Sequence, residues 1–270
     1  MNRLQSVVVL LGAALLASCD LFGDTGVRDL TAPLPSARVK FHNFSPSSVG
    51  VNFFANDTKM TAILTSACIK PATAADSTRC ATTGIESTVG VAYANAASGG
   101  RYDAIAPGQY TLAAKTASGG EVVSTVAAQI AEGKYYTFVL SGVYNATSKT
   151  ADSFIIEDPV PAEATDYTVA TVRFVNAVSN GTGDLNLLVT NTETSAQSAI
   201  GGAVAYKSGG SFVTVPAGTY NLAARYTGAT GSLISRTAVP LLGGRVYTIT
   251  SRGSTATAST LGLDLTENQR

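Results

Sequence analysis

The chain has 270 residues, of which 18 are basic and 18 are acidic, so its formal net charge is zero. Zero net charge argues against a nucleic-acid-binding protein, which needs a basic surface. A hydrophobic content of 45% argues against a wholly disordered chain. Only 13% of the residues are charged, with one histidine and no tryptophan. This composition predicts a globular protein of one or two domains and favours a protein that is not an enzyme.

The N-terminal segment has the pattern of a bacterial secretion signal. Arg3 precedes an apolar run over residues 7–16, which is too short to cross a bilayer because a span takes about 20 residues. The run leads into the letters LASC, which resemble a lipobox and imply cleavage before Cys19 and acylation of that residue. An ordinary signal peptide followed by a chance cysteine is the alternative. We expect a lipoprotein signal peptide over 1–18, a lipidated tether over 19–36, and anchoring to membrane lipid in the bacterial cell envelope, outside the cytoplasm.

The rest of the chain contains two copies of one unit. The patterns A-x-V-[KR]-F-x-N, G-x-Y-x-L and G-[KR]-x-Y-T recur in the same order. They begin at Ala37, Gly108 and Gly133 in the first copy and at Ala170, Gly218 and Gly244 in the second. Two weaker matches align Ser98 with Ser208, each followed by two glycines, and Glu157 with Asp264. The offset between the copies falls from 133 to 110 residues, so the first copy carries about 23 extra residues between Asn56 and Ser98.

The blocks read as β-strands. In the first block, apolar Val39 and Phe41 alternate with polar Arg38, Lys40 and His42. Such alternation predicts a strand with one face in the core and one face in water. Glycine-rich turns separate the runs and long helical periodicity is absent, so we predict an all-β chain of two tandem antiparallel β-sandwiches. In this interpretation His42 is a solvated strand residue rather than a catalytic base.

The two copies define two domains. We place β-sandwich repeat 1 at residues 37–158 and β-sandwich repeat 2 at residues 169–265, joined by a linker over 159–168. About 100 residues are enough for a self-contained sandwich core. The linker contains two prolines, which make it semi-rigid, so we expect it to hold the two domains apart.

Taken as a set, the recurring patterns resemble the bacterial domain-of-unknown-function family 4397, in two tandem copies that cover most of the chain after residue 36. The resemblance implies extracytoplasmic β-sandwiches of immunoglobulin or transthyretin type, which often occur in lipoproteins and surface proteins. It implies no activity, because none is established for the family. Repeat 1 departs from the pattern through its extra residues, so the two copies need not share a binding surface.

Cys68 and Cys80 both lie in the extra residues of repeat 1. Conditions outside the cytoplasm are oxidising, so a disulfide between them is the first interpretation. It would close a loop of about a dozen residues and stabilise the fold by roughly 3 kcal/mol. Free thiols or a metal site are the alternative, although the spacing lacks a nearby histidine for zinc. Because binding residues tend to lie on loops held by a rigid scaffold, this loop is also a candidate contact surface.

Several polar residues recur at the same place in both copies. Asn43 and Asn176 end the first strand of each copy, where we expect their side chains to bind backbone groups at the bend. Recurring tyrosines are expected in the core or as corner residues that bind the backbone, with a sugar-binding platform as the alternative. They are Tyr110 with Tyr220 and Tyr136 with Tyr247. Nucleotide-binding, calcium-binding and serine-hydrolase motifs are absent from the sequence, so we predict no catalytic residue, metal or cofactor.

These observations favour a membrane-anchored envelope lipoprotein that acts as a non-catalytic binding or structural module. Its expected partners are membrane lipid, through acylated Cys19, and an envelope protein or glycan, but not nucleic acid. A carbohydrate- or polymer-binding module of an envelope or surface complex is the first alternative. The second alternative is an enzyme with an unrecognised site between the domains, although acid–base catalysis needs clustered titratable groups and the sequence shows none.

Overall fold

A computed structural model of the chain describes residues 36–61, 89–161 and 166–268. Within these ranges the chain forms β-strands and one short 3₁₀ turn, and no α-helix. The all-β prediction is therefore confirmed. The predicted signal peptide, Cys19, and the predicted disulfide between Cys68 and Cys80 lie outside the described residues.

Repeat 1 folds into a sandwich of two sheets. Its strands are β1 (Ala37–Asn43), β2 (Val51–Ala55), β3 (Thr58–Lys59), β4 (Asn95–Ala96), β5 (Asp103–Ile105), β6 (Gly108–Thr116), β7 (Val122–Ile130), β8 (Tyr135–Asn145) and β9 (Thr150–Asp158). One sheet has the order β4-β1-β8-β9, with β5 also paired to β1, and the other has the order β3-β2-β6-β7. The 3₁₀ turn, Ala97–Gly100, connects β4 to β5.

Repeat 2 forms a second sandwich. Its strands are β10 (Val169–Ser179), β11 (Leu185–Asn191), β12 (Gln197–Val204), β13 (Ser208–Gly209), β14 (Val213–Pro216), β15 (Gly218–Tyr226), β16 (Ile234–Leu241), β17 (Val246–Ser254) and β18 (Thr257–Glu267). The sheet orders are β13-β10-β17-β18, with β14 also paired to β10, and β12-β11-β15-β16. The two repeats share one topology strand for strand, and the prediction of two tandem sandwiches is confirmed.

One pairing in each repeat departs from the antiparallel pattern. β1 runs parallel to β8, with Val39 opposite Tyr136, and β10 runs parallel to β17, with Val172 opposite Tyr247. All other strand pairs of the described residues are antiparallel. Alternation of polar and apolar residues is the same in both directions, so the sequence pattern alone does not distinguish them.

Each sandwich has its core between its two sheets. In repeat 1 the rings of Phe41, Phe53 and Phe138 are fully buried, with ring centroids 5.2 to 6.1 Å apart. In repeat 2 Phe174 replaces Phe41 and packs among aliphatic side chains such as Leu187. Burial of one such side chain contributes about 1.5–3 kcal/mol, so the inward apolar faces of the strands hold each sandwich together.

The strand registers correct the alignment of the two repeats at β4. Asn43 pairs with Asn95 in repeat 1, and its counterpart Asn176 pairs with Ser208 in repeat 2. Ser208 therefore corresponds to Asn95 and not, as the glycine pairs had suggested, to Ser98. The offset between the repeats is 113 residues here, so about 20 of the extra residues of repeat 1 precede β4 and three lie between β4 and β5.

A second correction concerns the last strand of each repeat. Tyr136 pairs with Glu157, and the corresponding Tyr247 pairs with Glu267. The true counterpart of Glu157 is therefore Glu267, and its predicted match to Asp264 is wrong by three residues. The corrected register explains two equivalent ion pairs, Lys134 with Glu157 and Arg245 with Glu267, each 2.8 Å long.

The two sandwiches pack against each other through the sheets that contain β1 and β10. Strands β8 and β10 contact each other, as do β8 and β17. Apolar side chains form the centre of this interface; they are Phe44, Val139, Phe154, Val175 and Ala177. The expectation that the linker holds the domains apart is therefore wrong. The polar face of β1 is covered by the other repeat instead of by water.

Candidate functional site

The interface between the repeats contains buried charges that are arranged reciprocally. The Lys40 ammonium donates to Asn268 Oδ1 at 2.6 Å, and the Arg173 guanidinium donates to Asp158 Oδ1 at 2.7 Å. Lys40 and Arg173 are the same position of the two repeats, and the strand registers make Asp158 and Asn268 equivalent as well. Each repeat thus supplies one cation to the other repeat's last strand, around an approximate two-fold axis.

Asp158 is the centre of this network. Besides the Arg173 guanidinium, its carboxylate accepts hydrogen bonds from the Tyr102 hydroxyl at 2.8 Å and from the Thr137 hydroxyl. The side chains of Asp158 and Arg173 are 0% and 5% exposed. Burial lowers the pKa of Lys40 to about 8, a shift that the Asp158 carboxylate opposes and Arg173 reinforces. Burial, together with Asp158, raises the pKa of Tyr102.

Two equivalent tyrosines extend the interface. The Tyr206 hydroxyl lies 2.8 Å from Ser141 Oγ and 3.3 Å from Asp152 Oδ2, both in repeat 1. The Tyr93 hydroxyl accepts from Arg252 at 2.9 Å in repeat 2 and donates to a backbone carbonyl there. These tyrosines follow the letters VA in both copies. The recurring letters VAY are a sequence signal that could have identified these two tyrosines as equivalent.

His42 lies in the interface and not in solvent, so the prediction of a solvated residue is wrong. It is 2% exposed, and its ring lies 4.9 Å from that of Phe44. Within the described part of the chain its Nδ1 has no hydrogen-bond partner. Burial lowers the pKa of His42 to about 3, with a smaller contribution from nearby Lys40, so the imidazole is neutral at physiological pH. The alternation of polar and apolar residues in β1 correctly predicted a strand, but the polar face of this strand packs against the other repeat.

The predicted roles of the recurring asparagines are confirmed. The Asn43 amide donates to the Val91 carbonyl at 2.8 Å and its oxygen accepts from the Ser45 backbone. Asn176 likewise donates to the Val204 carbonyl at 3.0 Å and accepts from a backbone N–H two residues later. Each side chain therefore joins the end of the first strand to the segment that leads into the fourth strand of its repeat.

The recurring tyrosines bind the backbone at corners, as predicted. Tyr110 and Tyr220 each donate to the carbonyl four residues earlier, at 2.9 and 2.7 Å. Tyr136 and Tyr247 each accept from an N–H five residues earlier, at 3.1 and 3.3 Å. Their hydroxyls are therefore used in fixing loops to strands.

A cleft of about 660 Å³ opens in repeat 1 where repeat 2 has no equivalent turn. Its wall includes the 3₁₀ turn Ala97–Gly100, which contains the three extra residues between β4 and β5. The chain returns to the cleft after the cysteine-bearing extra residues, where it passes very close to Gly50. A Cβ at Gly50 would lie 1.7 Å from the Val89 carbonyl oxygen, so only glycine permits this approach.

Hydrogen-bonding groups of several kinds line the cleft. Asn52 and Thr61 are 5% exposed and hydrogen-bond to each other at 3.3 Å, and Asn95 and Arg101 also lie on the wall. Of the lining residues that the structure describes, Asp103 is the acidic one. Its counterpart in repeat 2 is Val213, which packs against the core there.

Asp103 is a polar residue in an apolar position. It alternates with the exposed Ala104 and lies on the same side of β5 as the buried Ile105. Its Oδ2 is buried and unpartnered within the described ranges, and burial raises the pKa of Asp103 to about 6. An unsatisfied carboxyl oxygen at the wall of a cleft is a group that can bind a hydrogen-bonding ligand.

No three His, Cys, Asp or Glu side chains among residues 36–61, 89–161 and 166–268 are placed to hold a metal ion. A helix of the length and apolarity needed to cross a membrane was also not found in these segments.

Comparisons with known proteins do not assign the chain to a family. No family model matches it, so the resemblance to family 4397 stays a prediction, and no curated protein matches either. Among solved structures, the chain is similar to a leucine-rich repeat protein from Bacteroides thetaiotaomicron, with 14% identity and a TM-score of 0.20. That match covers 81% of this chain but only 26% of the other. A protein from Bacteroides ovatus described as a cell adhesion protein gives 10% identity and a TM-score of 0.23, covering 88% and 97%.

Proposed function

We propose that this protein is a lipid-anchored, non-catalytic binding module of the bacterial cell envelope. The observation that carries the proposal is the cleft beside the 3₁₀ turn Ala97–Gly100, whose wall includes an Asp103 oxygen without a hydrogen-bond partner among the described residues. Repeat 2 has the same strands and keeps a valine at this position, so the acid is not required by the fold. A group that the fold does not require, placed at a cleft, is best explained by a ligand.

The packing of the two repeats supports a binding role. The buried Asp158–Arg173 pair and the apolar centre around Phe154 fix one sandwich on the other. A fixed scaffold lowers the entropy lost when a ligand binds, because the cleft is already formed. The charged groups between the repeats pair with each other. This pairing favours a structural role for them over the alternative, a catalytic site between the domains.

The anchor is tested in cells. When membranes of bacteria that express the full chain are washed with high salt and pelleted, the wild-type protein should stay in the pellet. Cys19→Ala should remove the acylation site and release the mature protein into the soluble fraction. A Cys19→Ala protein that stays in the pellet would refute the anchor, while cleft binding by the same purified variant would still be measurable on its own.

A carbohydrate ligand is the more specific version of the proposal. Amide, hydroxyl, guanidinium and carboxyl groups share this cleft, and such mixed donors and acceptors match the hydroxyls of a sugar. We expect short neutral hexose oligosaccharides to bind the wild-type protein in isothermal titration calorimetry, and Asp103→Asn to change the affinity. Asp184→Asn removes an exposed acid of repeat 2 and is the matched control. Equal affinity of wild type and Asp103→Asn would exclude the cleft as the sugar site.

A further inference from the structure

Lys40 and Asn268 form a buried contact between two residues that are 228 positions apart in the chain. The Lys40 Nζ lies 2.6 Å from Asn268 Oδ1, and the two residues are 1% and 5% exposed. Because a C=O bond is about 1.23 Å long, Nζ lies at most about 3.8 Å from the Cγ carbon of that amide. This distance is close to the separation at which an amine can react with an amide carbon.

The buried cluster around this contact has more positive than negative charge. Lys40 and Arg173 are cations, and among the described residues Asp158 is the carboxylate that faces them. Asp158 already pairs with the Arg173 guanidinium at 2.7 Å, so Lys40 has a neutral amide as its hydrogen-bond acceptor. A buried ammonium without a carboxylate of its own destabilises a fold. A reaction that converts this ammonium into an amide would leave the cluster neutral.

The Asn268 amide is held in one orientation beside the amine. Its Nδ2 donates to Thr248 Oγ1 at 2.9 Å, and the backbone N–H of the same residue donates to the Val246 carbonyl at 2.7 Å. Its Oδ1 accepts from Lys40, so both polar atoms of the side chain are fixed. Positioning of this kind removes much of the entropic part of a reaction barrier.

Tyr102 lies beside both of these groups. The Lys40 Nζ is 4.6 Å from the centre of its ring, and its hydroxyl is 3.4 Å from Asn268 Oδ1 and 2.8 Å from Asp158 Oδ2. Negative charge develops on Oδ1 when a nucleophile adds to the amide carbon. The Tyr102 hydroxyl is placed to donate to that oxygen, and Asp158 holds the hydroxyl in position.

We propose that Lys40 and Asn268 form an isopeptide bond within the chain, without a second protein. The neutral Lys40 amine adds to Cγ of Asn268, and a C–N bond forms while the Tyr102 hydroxyl donates to Oδ1. The bond between Cγ and Nδ2 then breaks, and Nδ2 takes the proton that the attacking nitrogen gives up and leaves as ammonia. One amine and one primary amide thus become one secondary amide and ammonia, so the step needs no oxidant and no further reactant.

The two equivalent contacts of the interface differ in what they can do. Burial lowers the pKa of Lys40 to about 8, so about a tenth of unreacted chains have the neutral amine at pH 7. The equivalent Arg173 keeps its charge, because a guanidinium is not deprotonated in proteins, and its partner is a carboxylate. One contact is therefore a permanent ion pair, and the other becomes a covalent bond that ties β1 to the residue after β18.

The first test is peptide mass spectrometry of the full chain, purified in detergent and digested with trypsin. We expect a branched product that joins residues 39–59 to residues 253–270 and is lighter by one ammonia than the two peptides together. Lys40→Arg, which introduces the residue of repeat 2, should give no branched product. Lys207→Arg is the matched control and should keep it, since Lys207 also pairs across the interface, with Asp152. Recovery of wild-type Lys40 and Asn268 only in separate linear peptides would overturn the proposal.

The second test measures the rate of bond formation. After cell-free synthesis is stopped, samples are denatured in SDS at intervals, and the cross-linked chain is separated from the linear chain by its faster migration. We expect Tyr102→Phe to form the bond about ten times more slowly than wild type, because a donor to the developing negative charge is lost. Tyr110→Phe removes a hydroxyl that donates to the Ala106 carbonyl and is the control. Circular dichroism checks that both variants fold, and equal rates for Tyr102→Phe and wild type would contradict the mechanism.

Discussion

The buried ion pair between the repeats allows a sharp test of how they are held together. Asp158 gives Arg173 its counter-charge, and both side chains are almost completely buried. Asp158→Asn keeps the shape of the side chain but removes the charge. The buried Arg173 guanidinium, and the Lys40 ammonium wherever it has not reacted, would then lie without a carboxylate.

The expected loss follows from these contacts. Removing one partner of a buried ion pair costs about 3–5 kcal/mol, because the other charge stays buried without compensation. The asparagine still accepts hydrogen bonds from Tyr102 or Thr137, so we expect a value near the lower end, about 3 kcal/mol. For a chain of this size that corresponds to a fall in Tm of about 6–12 °C.

The assay is thermal unfolding followed by circular dichroism at pH 7, with chemical denaturation as a second measurement. Asp152→Asn is the matched control, since Asp152 lies on the same strand and also pairs across the interface, with Lys207, but both side chains are well exposed. An exposed pair contributes about 0–1 kcal/mol, so this control should hardly change Tm. Equal Tm values for the two variants would show that burial of the Asp158–Arg173 pair does not determine how much the pair contributes to the free energy of unfolding.

Three further outcomes are expected. In chains whose Lys40 amine has not reacted, the lowered pKa of Lys40 means that the unfolded chain binds more protons than the folded chain between pH 8 and about 10. The free energy of unfolding should therefore rise with pH in that window. Denaturation curves of Lys40→Met should not show this rise. The raised pKa of Asp103 means that its ionised form, which predominates above about pH 6, destabilises the folded state. Asp103→Val, which introduces the residue of repeat 2, should therefore raise the free energy of unfolding by about 1 kcal/mol at pH 7 and by less at pH 4. An increase that is the same at both pH values would contradict an origin in the charge. For Cys68 and Cys80 we expect intact-mass spectra to differ by two protons between non-reduced and reduced protein, and identical masses would mean free thiols.

Features with local causes could be predicted from the sequence. The corner tyrosines such as Tyr220 bind the backbone four or five residues away, and Asn176 binds backbone groups at the end of its own strand. These contacts depend on short stretches of chain that both repeats contain. Alternation also identified β1 and β10 correctly, because an apolar face needs a core whichever fold supplies it.

The interface could not be predicted in the same way. Lys40, His42 and Arg173 have the sequence pattern of a solvent-exposed strand face. The neighbouring sequence does not show whether such a face contacts water or the polar groups of a second sandwich. The cleft was missed for another reason. The sequence alignment already places Asp103 opposite Val213, at the same offset of 110 residues as Gly108 and Gly218, but it does not show that Val213 packs against a core or that a cleft opens beside Asp103.

The near two-fold relation of the repeats has a consequence for valency. Two identical halves would present two equivalent clefts. Here the halves differ, because Asp103 on the cleft wall of repeat 1 corresponds to Val213 in repeat 2. The cleft beside Asp103 therefore belongs to one half of the described fold, so the two halves can differ in what they bind although they share one topology.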